Sequence, residues 1–286
     1  MSASKELGGI FQKSRFLNIK GQLHDFSQPK IMGILNITPD SFYENSRVVS
    51  TDAILKKAAQ MINEGADILD IGASSTRPGA AINSPQEEIA RLGQVISLLK
   101  SEFPETLLSL DTYYGAVAQH GIDQGIDLIN DISAGQFDPT LWPVVSRHQI
   151  PYILSYNRAS ADNSAQSHLQ EKGIISDALS FLSQKIAELK ALGCADILID
   201  PGFGFGKTLE ENHELLQKLA HLHILGAPLL IGVSRKSMIT KILNCTPAEA
   251  LNGTSILHTL AFTKGARIFR VHDCAPVKEL FTLMAQ

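Results

Sequence analysis

An α/β fold, a (β/α)8 TIM barrel with a short N-terminal β-hairpin extension, is the architecture this sequence predicts, and three observations carry it. Eight short apolar runs alternate with amphipathic stretches along the chain, which is the pattern of parallel βα units. Eight is also the strand number that closes such units into a barrel with its helices outside. The length of 286 residues suits one domain of this kind, since such barrels commonly run to about 250 residues. An open doubly wound sheet is the alternative, but it rarely repeats so evenly.

The runs fall at 30–35 (KIMGIL), 67–71 (DILDI), 106–110 (TLLSL), 126–130 (IDLIN), 150–154 (IPYIL), 195–199 (ADILI), 228–233 (PLLIGV) and 266–271 (ARIFRV). Each is short, apolar and bounded by polar residues or glycine, as a buried strand should be. Between them, TDAILKKAAQMINEG (51–65) reads as a helix with Thr51 or Asp52 as its cap and Gly65 as its stop. PQEEIARLGQVISLLKSE (85–102) reads as another. Ser84 before Pro85, with Glu87 three residues beyond the serine, predicts a capping box with proline in the first turn. Residues 9–24 are expected to form a hairpin plugging one end, with 1–28 as an extension of a single domain spanning 1–286. The polar stretch 158–173 reads as a long mobile loop.

Composition narrows the function classes. A hydrophobic content of 44%, a charged content of 19% and a net charge of −4 give no electrostatic reason to expect nucleic acid or an acidic membrane as partner. No run of about 18 uncharged apolar residues occurs, and MSASKELGGIFQK lacks the apolar core of a signal peptide. Cys194, Cys245 and Cys274 are far apart and odd in number, which suits a reducing compartment and shows no metal-ligand spacing. A cytoplasmic location is expected.

In a barrel of this type the chemistry lies at the C-terminal ends of the strands. Those ends carry Asn36, Ser75-Thr76-Arg77, Asp111, Asn130 with Asp131, Ser155, Asp200, Ser234-Arg235-Lys236, and Arg270 with His272. Singly, Asp131 or Asp273 could be caps and Asn130 could close a turn; recurrence at one mouth favours a site. Asp111, Asn130 and Asp200 offer acceptors to a heterocycle with an amidine-like N–H edge. Arg77, Arg270 and His272 suit phosphate or pyrophosphate. The segment DPGFGFGKT (200–208) looks like a phosphate loop, but Pro201 stands where the first glycine is needed, and the dinucleotide spacing is one residue short.

Seven segments, MGILNITPDSF (32–42), STRPGA (75–80), LDT (110–112), INDI (129–132), DPGFGFGKT (200–208), GVSRKS (232–237) and RVHD (270–273), occur in the order found in dihydropteroate synthases, and the chain resembles that pterin-binding enzyme family over nearly its whole length. The resemblance implies a (β/α)8 barrel, usually a homodimer. It implies condensation of 6-hydroxymethyl-7,8-dihydropterin diphosphate with p-aminobenzoate, giving dihydropteroate and pyrophosphate for folate synthesis. By the same resemblance Asp111, Asn130, Asp200 and Lys236 hold the pterin, and Phe205 packs near the pterin or the benzoate. Asn36 ligates a Mg2+ ion carried on the diphosphate, with Arg270 and His272 on the phosphate oxygens. Thr76, Arg77, Pro78 and Ser234 shape the benzoate side. The C–O bond to diphosphate breaks early, and Asp40 and Glu44 of the first loop stand near the resulting pterin cation, making Asp40, Glu44, Lys236 and Arg270 the catalytic set.

Three departures from the family pattern concern loops. Glu44-Asn45-Ser46 replaces Asp-Gly-Gly, Gly72-Ala73-Ser74-Ser75 replaces Gly-Gly-Glu-Ser, and Leu154-Ser155 replaces Met-His, with leucine expected to cover the pterin face instead. They leave two other readings open at this point, a pterin-binding paralogue with little synthase activity and a methyltetrahydrofolate-corrinoid methyltransferase. Arg77, Lys236, Arg270 and His272 favour a diphosphate substrate over the methyltransferase.

Overall fold

The structure is a computed structural model that describes residues 16–37, 51–74, 83–158 and 173–285. Strands β1 (Phe16–Ile19) and β2 (Gln22–Asp25) form an antiparallel hairpin. Its two-residue turn, Lys20 at φ 51° and Gly21 at φ 84°, has the positive dihedrals that match the twist of the flanking strands. The barrel strands follow: β3 (Lys30–Asn36), β4 (Ile68–Gly72), β5 (Leu107–Asp111), β6 (Leu128–Asp131), β7 (Tyr152–Ser155), β8 (Ile197–Asp200), β9 (Leu230–Ile231) and β10 (Ile268–Val271). They are parallel and run in the order β8-β7-β6-β5-β4-β3-β10-β9. A bridge between Ile199 and Leu229, with Ile199 N–H donating to Pro228 at 2.9 Å, joins the two ends and closes the cylinder.

Every strand run expected from the sequence is present to within a residue or two at its ends, except that 228–233 contracts to the two residues of β9. Helices α1 (Thr51–Asn63), α2 (Pro85–Leu92), α3 (Val95–Glu102), α4 (Gly115–Asp123), α5 (Leu141–His148), α6 (Ile174–Ala191), α7 (Leu209–Gln217), α8 (Ser237–Leu243), α9 (Leu251–Thr263) and α10 (Cys274–Met284) pack outside. The capping box of α2 forms as read, with Ser84 accepting from the Glu87 N–H and Glu87 accepting from the Ser84 N–H. The single helix expected over 85–102 is instead two. Gly93, at φ 49°, breaks it between Leu92 and Val95, and the break lets both segments bury apolar residues (Leu92, Val95, Ile96, Leu99). The loop expected over 158–173 lies, apart from Arg158 and Gly173, outside the described residues.

Strand alternation sorts the apolar residues into two shells. Outward residues such as Ile31, Leu69, Leu108, Leu154 and Phe269 join the helices in a large core. Inward residues Met32, Ile68, Leu128, Ile153, Leu198, Leu230 and Ile268 form a second core, completed from below by Leu17, Ile19 and Phe26. The hairpin therefore plugs the N-terminal end of the barrel. Polar ties hold it there: Asn18 N–H donates to Asp196 at 2.9 Å, and Lys20 Nζ reaches Asp127 and the Gly125 carbonyl at 2.6 Å each. Among the described residues no helix is long and apolar enough to cross a membrane.

Because Leu17 is fully buried in the inner core, Leu17→Ala should cost about 2–5 kcal/mol. Urea unfolding should show that loss as a lower midpoint at unchanged slope; an unchanged midpoint would mean the plug contributes nothing to the barrel.

Candidate active site

The same alternation that builds the inner core places polar residues above it. Asp70, Asp111, Asn130, Ser155, Asp200 and Arg270 occupy inward positions towards the C-terminal ends of β4, β5, β6, β7, β8 and β10. Register sets Asp111 beside Asn130, and Ser155 beside Asp200. Asn36 ends β3 beside Gly72 of β4, where a Cβ would lie 3.1 Å from Asn36 Oδ1. Ser234, Lys236 and His272 follow β9 and β10.

Arg270 organises this layer. Its Nε donates to Asp70 Oδ2 and its Nη2 to Asp111 Oδ2, both at 2.6 Å. Asp70 is completely buried, and its Oδ2 also accepts from Asn130 Nδ2 at 3.0 Å. That contact fixes the orientation of the amide, so Asn130 Oδ1 is the acceptor left for a ligand. Burial pushes Asp111 above the usual carboxylate range while Arg270 pulls against it. Burial disfavours the charge of Arg270 in turn, and the paired aspartates outweigh it, raising its pKa. Ser234 Oγ lies 3.0 Å from His272 Nδ1 and accepts the backbone N–H of His272 at 3.4 Å.

The glycine-rich segment forms the opposite wall. Asp200 Oδ1 accepts the Gly202 N–H at 2.8 Å. Gly202, Gly204 and Gly206 all have positive φ (66°, 92° and 65°), and a Cβ on Gly202 would come within 2.1 Å of the Tyr156 carbonyl. Glycine is thus required by both dihedral and space. Lys236 Nζ donates to the Phe203 carbonyl at 2.6 Å and lies 4.7 Å from the Phe205 ring centroid. Burial lowers Lys236 to about 8, against the pull of Asp200.

Nine of the sequence-selected residues, Asn36, Asp111, Asn130, Asp200, Phe205, Ser234, Lys236, Arg270 and His272, thus stand at one end of the barrel. Asp40, Glu44, Thr76, Arg77 and Pro78 lie outside the described residues, as do the altered positions Glu44-Asn45-Ser46 and Ser75. Three expectations are corrected. Leu154 faces the helices, not the mouth, and Ser155 is the inward residue of β7, because alternation allows only one of two neighbours inside. Arg235 is not a mouth cation: it forks onto Asp273 at 2.8 and 2.9 Å and binds the carbonyls of Pro247 and Ala248. Asp131 is structural, accepting from Ser133 and Gly135 N–H and from Tyr152 Oη.

Sequence reasoning missed Asp70, hidden inside an apolar run, although a lone carboxylate at an inward strand position was a usable signal. It also missed Glu88 of α2, a buried carboxyl that accepts from Ser74 at 2.6 Å and from Thr112 at 3.2 Å. A carboxyl therefore does meet the loop at Ser74, delivered from a helix.

The depressed Lys236 gives a pH prediction. A lysine in the unfolded chain titrates near 10.4, so between pH 8 and about 10.4 the folded state binds fewer protons at this residue than the unfolded state does. Stability contributed by this site therefore rises with pH across that window. Urea midpoints should show the wild type gaining on Lys236→Met between pH 8 and 10; a constant difference would mean that Lys236 is not depressed.

Comparison with known proteins follows the same lines. The family model for the pterin binding enzyme matches residues 32–272. The chain is 41% identical to the dihydropteroate synthase of Clostridium beijerinckii over 246 residues, covering 85% of this chain and 88% of that protein. It is 38% identical to the dihydropteroate synthase of Escherichia coli K12 over 267 residues, 93% of each. The structure of Xanthomonas albilineans dihydropteroate synthase with 4-aminobenzoic acid superposes with a TM-score of 0.86 at 33% identity, over 95% of this chain and 97% of that one. With the barrel, its polar mouth and these likenesses in agreement, the chain belongs to the dihydropteroate synthases of the pterin-binding enzyme family.

Proposed function

We propose that the mouth of this barrel condenses 6-hydroxymethyl-7,8-dihydropterin diphosphate with p-aminobenzoate, giving 7,8-dihydropteroate and pyrophosphate. The observation that carries this reading is the division of the mouth into an acceptor wall and a cation wall. Asn130 Oδ1 and the Asp200 carboxylate face a ligand edge rich in N–H groups, as a pterin's amino-pyrimidine edge is. Among the described residues Arg270 spends Nε and Nη2 on aspartates, leaving Nη1 for phosphate oxygens, with His272 following on the same strand end. Ser155 Oγ, buried without a partner among the described residues, adds a polar group beside Asp200.

Breaking the C–O bond leaves positive charge on the pterin and negative charge on pyrophosphate. Fixed dipoles and charges stabilise both without reorganising. Asp111 and Asp200 face the pterin cation, while Arg270 and His272 receive the leaving group. The arylamine nitrogen then bonds to the exposed carbon, and its proton passes to the released pyrophosphate or to water. Lys236, held over Phe205, borders the pterin; Asp40 and Glu44 are assigned to the cation, and Thr76, Arg77, Pro78 and Ser234 to the benzoate.

The donor set fits a substrate-borne Mg2+. Among the described residues no cluster of three or more His, Cys, Asp or Glu could cage a metal, and Mg2+ favours phosphate and water with one or two protein oxygens. Asn36 Oδ1 supplies one such oxygen at the mouth. Bound there, the ion would offset charge on the departing diphosphate. A homodimer in the cytoplasm belongs to the same reading, supported by exposed Ile242 and Leu243 on α8 and Ile256 on α9 and by three unpaired cysteines.

The direct test supplies both substrates with Mg2+ and measures pyrophosphate release, expected from the wild type and absent without p-aminobenzoate. Asp200→Asn puts an amide donor where two acceptors are needed, so calorimetry should show pterin binding weakened by about 1.5–3 kcal/mol at near-normal stability. Unchanged affinity would remove Asp200 from the pterin site.

A further inference from the structure

The lysine that makes DPGFGFGKT resemble a phosphate loop has no phosphate to bind in the arrangement above. Lys207 Nζ donates instead to three backbone carbonyls: Gly202 at 2.6 Å, Tyr156 at 2.8 Å and Phe205 at 3.3 Å. It also lies 4.3 Å from the Tyr156 ring centroid. Burial lowers Lys207 to about 7, against the pull of Asp200; in its charged form every ammonium proton is placed on a backbone oxygen or the ring beside it.

Those oxygens belong to two different segments. Tyr156 follows β7, whereas Gly202 and Phe205 lie in the loop after β8. The three left-handed glycines turn the loop so that its carbonyls converge, and converging buried carbonyls need donors between them, of which a charged one binds most strongly. The tight approach of Gly202 to the Tyr156 carbonyl shows how little slack the junction holds. From this pinned loop come two contacts to the acceptor wall: the Gly202 N–H that orients Asp200 and the Phe203 carbonyl that holds Lys236.

We infer that Lys207 is a positioning residue for the pterin, an ammonium staple that locks the glycine loop to the exit of β7 and thereby sets Asp200 and Lys236. The inference rests on the pterin reading of the mouth. Lys207 touches neither substrate; it acts through Gly202 and Phe203. The anion wall of Arg270 and His272 stands on β10 and the segment after it, outside the stapled junction. Loss of the staple should then separate the two ligands that a global defect would affect alike.

Lys207→Met keeps much of the side chain's bulk but removes the donors, and Lys207→Arg keeps the donors and the charge. Calorimetry would be run with 6-hydroxymethylpterin and, separately, with inorganic pyrophosphate, alongside steady-state kinetics. Lys207→Met should weaken pterin roughly 10- to 100-fold, the scale of a misplaced site, with pyrophosphate changed less than about threefold. KM for the pterin diphosphate should rise more than kcat falls, and Lys207→Arg should restore part of the affinity. If Lys207→Met does not fold, Lys207→Gln, which keeps two donors without charge, takes its place with the same split expected. Equal losses for both ligands, no recovery in Lys207→Arg, or unchanged pterin affinity would overturn the staple. A wild type that binds pyrophosphate but no pterin would instead overturn the pterin reading itself.

Discussion

Arg270 sits between two buried carboxylates, Asp70 and Asp111, and the mouth of the barrel depends on that pairing. Remove the guanidinium and two negative charges face each other away from water, a far costlier state than the pair itself. With it in place, Asp70 can also hold the amide of Asn130. One cation thus converts a row of acids, which would repel one another, into a rigid set of acceptors on β4, β5 and β6. The arrangement has a functional corollary. In the proposed reading, an anion arriving at Arg270 meets a guanidinium already shared with two carboxylates, which moderates its grip on a leaving group.

Rigidity in the mouth is built from backbone as much as from side chains. The glycine loop has little intrinsic preference for its shape, since glycine forfeits more freedom on ordering than any other residue. Its definition comes from outside: the Tyr156 carbonyl, Asn212 Oδ1 on the Gly204 N–H at 2.6 Å, and two lysine ammonium groups. Cations buried against carbonyls replace the water those carbonyls would otherwise seek. The result is a wall with no bulky side chain at alternate positions, against which a flat ring can lie.

The barrel was legible because parallel strands buried on both faces read as bare apolar runs, and their C-terminal ends could be ordered along the chain. Asn130, Asp200 and Arg270 were legible for the same reason. What escaped was information that a linear reading does not contain. Asp70 has no partner signal within DILDI because its partner lies 200 residues away on β10. Leu154 and Ser155 cannot both reach the mouth, because a shift of one residue exchanges inside for outside; strand parity, which likeness of residue type does not reveal, leaves Leu154 in the outer core. Arg235 was grouped with its neighbours in SRKS, yet Arg235 sits at φ 56°, a backbone turn that sends its side chain towards Asp273 and away from the mouth. The break at Gly93 was visible only as a glycine within an otherwise helical pattern.

The hairpin beneath the barrel has one more consequence. With Leu17, Ile19 and Phe26 filling the lower end, the cylinder is, among the described residues, a vessel closed below and open at the mouth. Every molecule that takes part must pass the same rim, so traffic has an order imposed by depth. In the proposed reading, a ring seated against Asn130 and Asp200 would lie below any partner that joins it and could not leave until that rim is clear. Queueing of this kind needs no moving gate; it follows from closing one end of a tube.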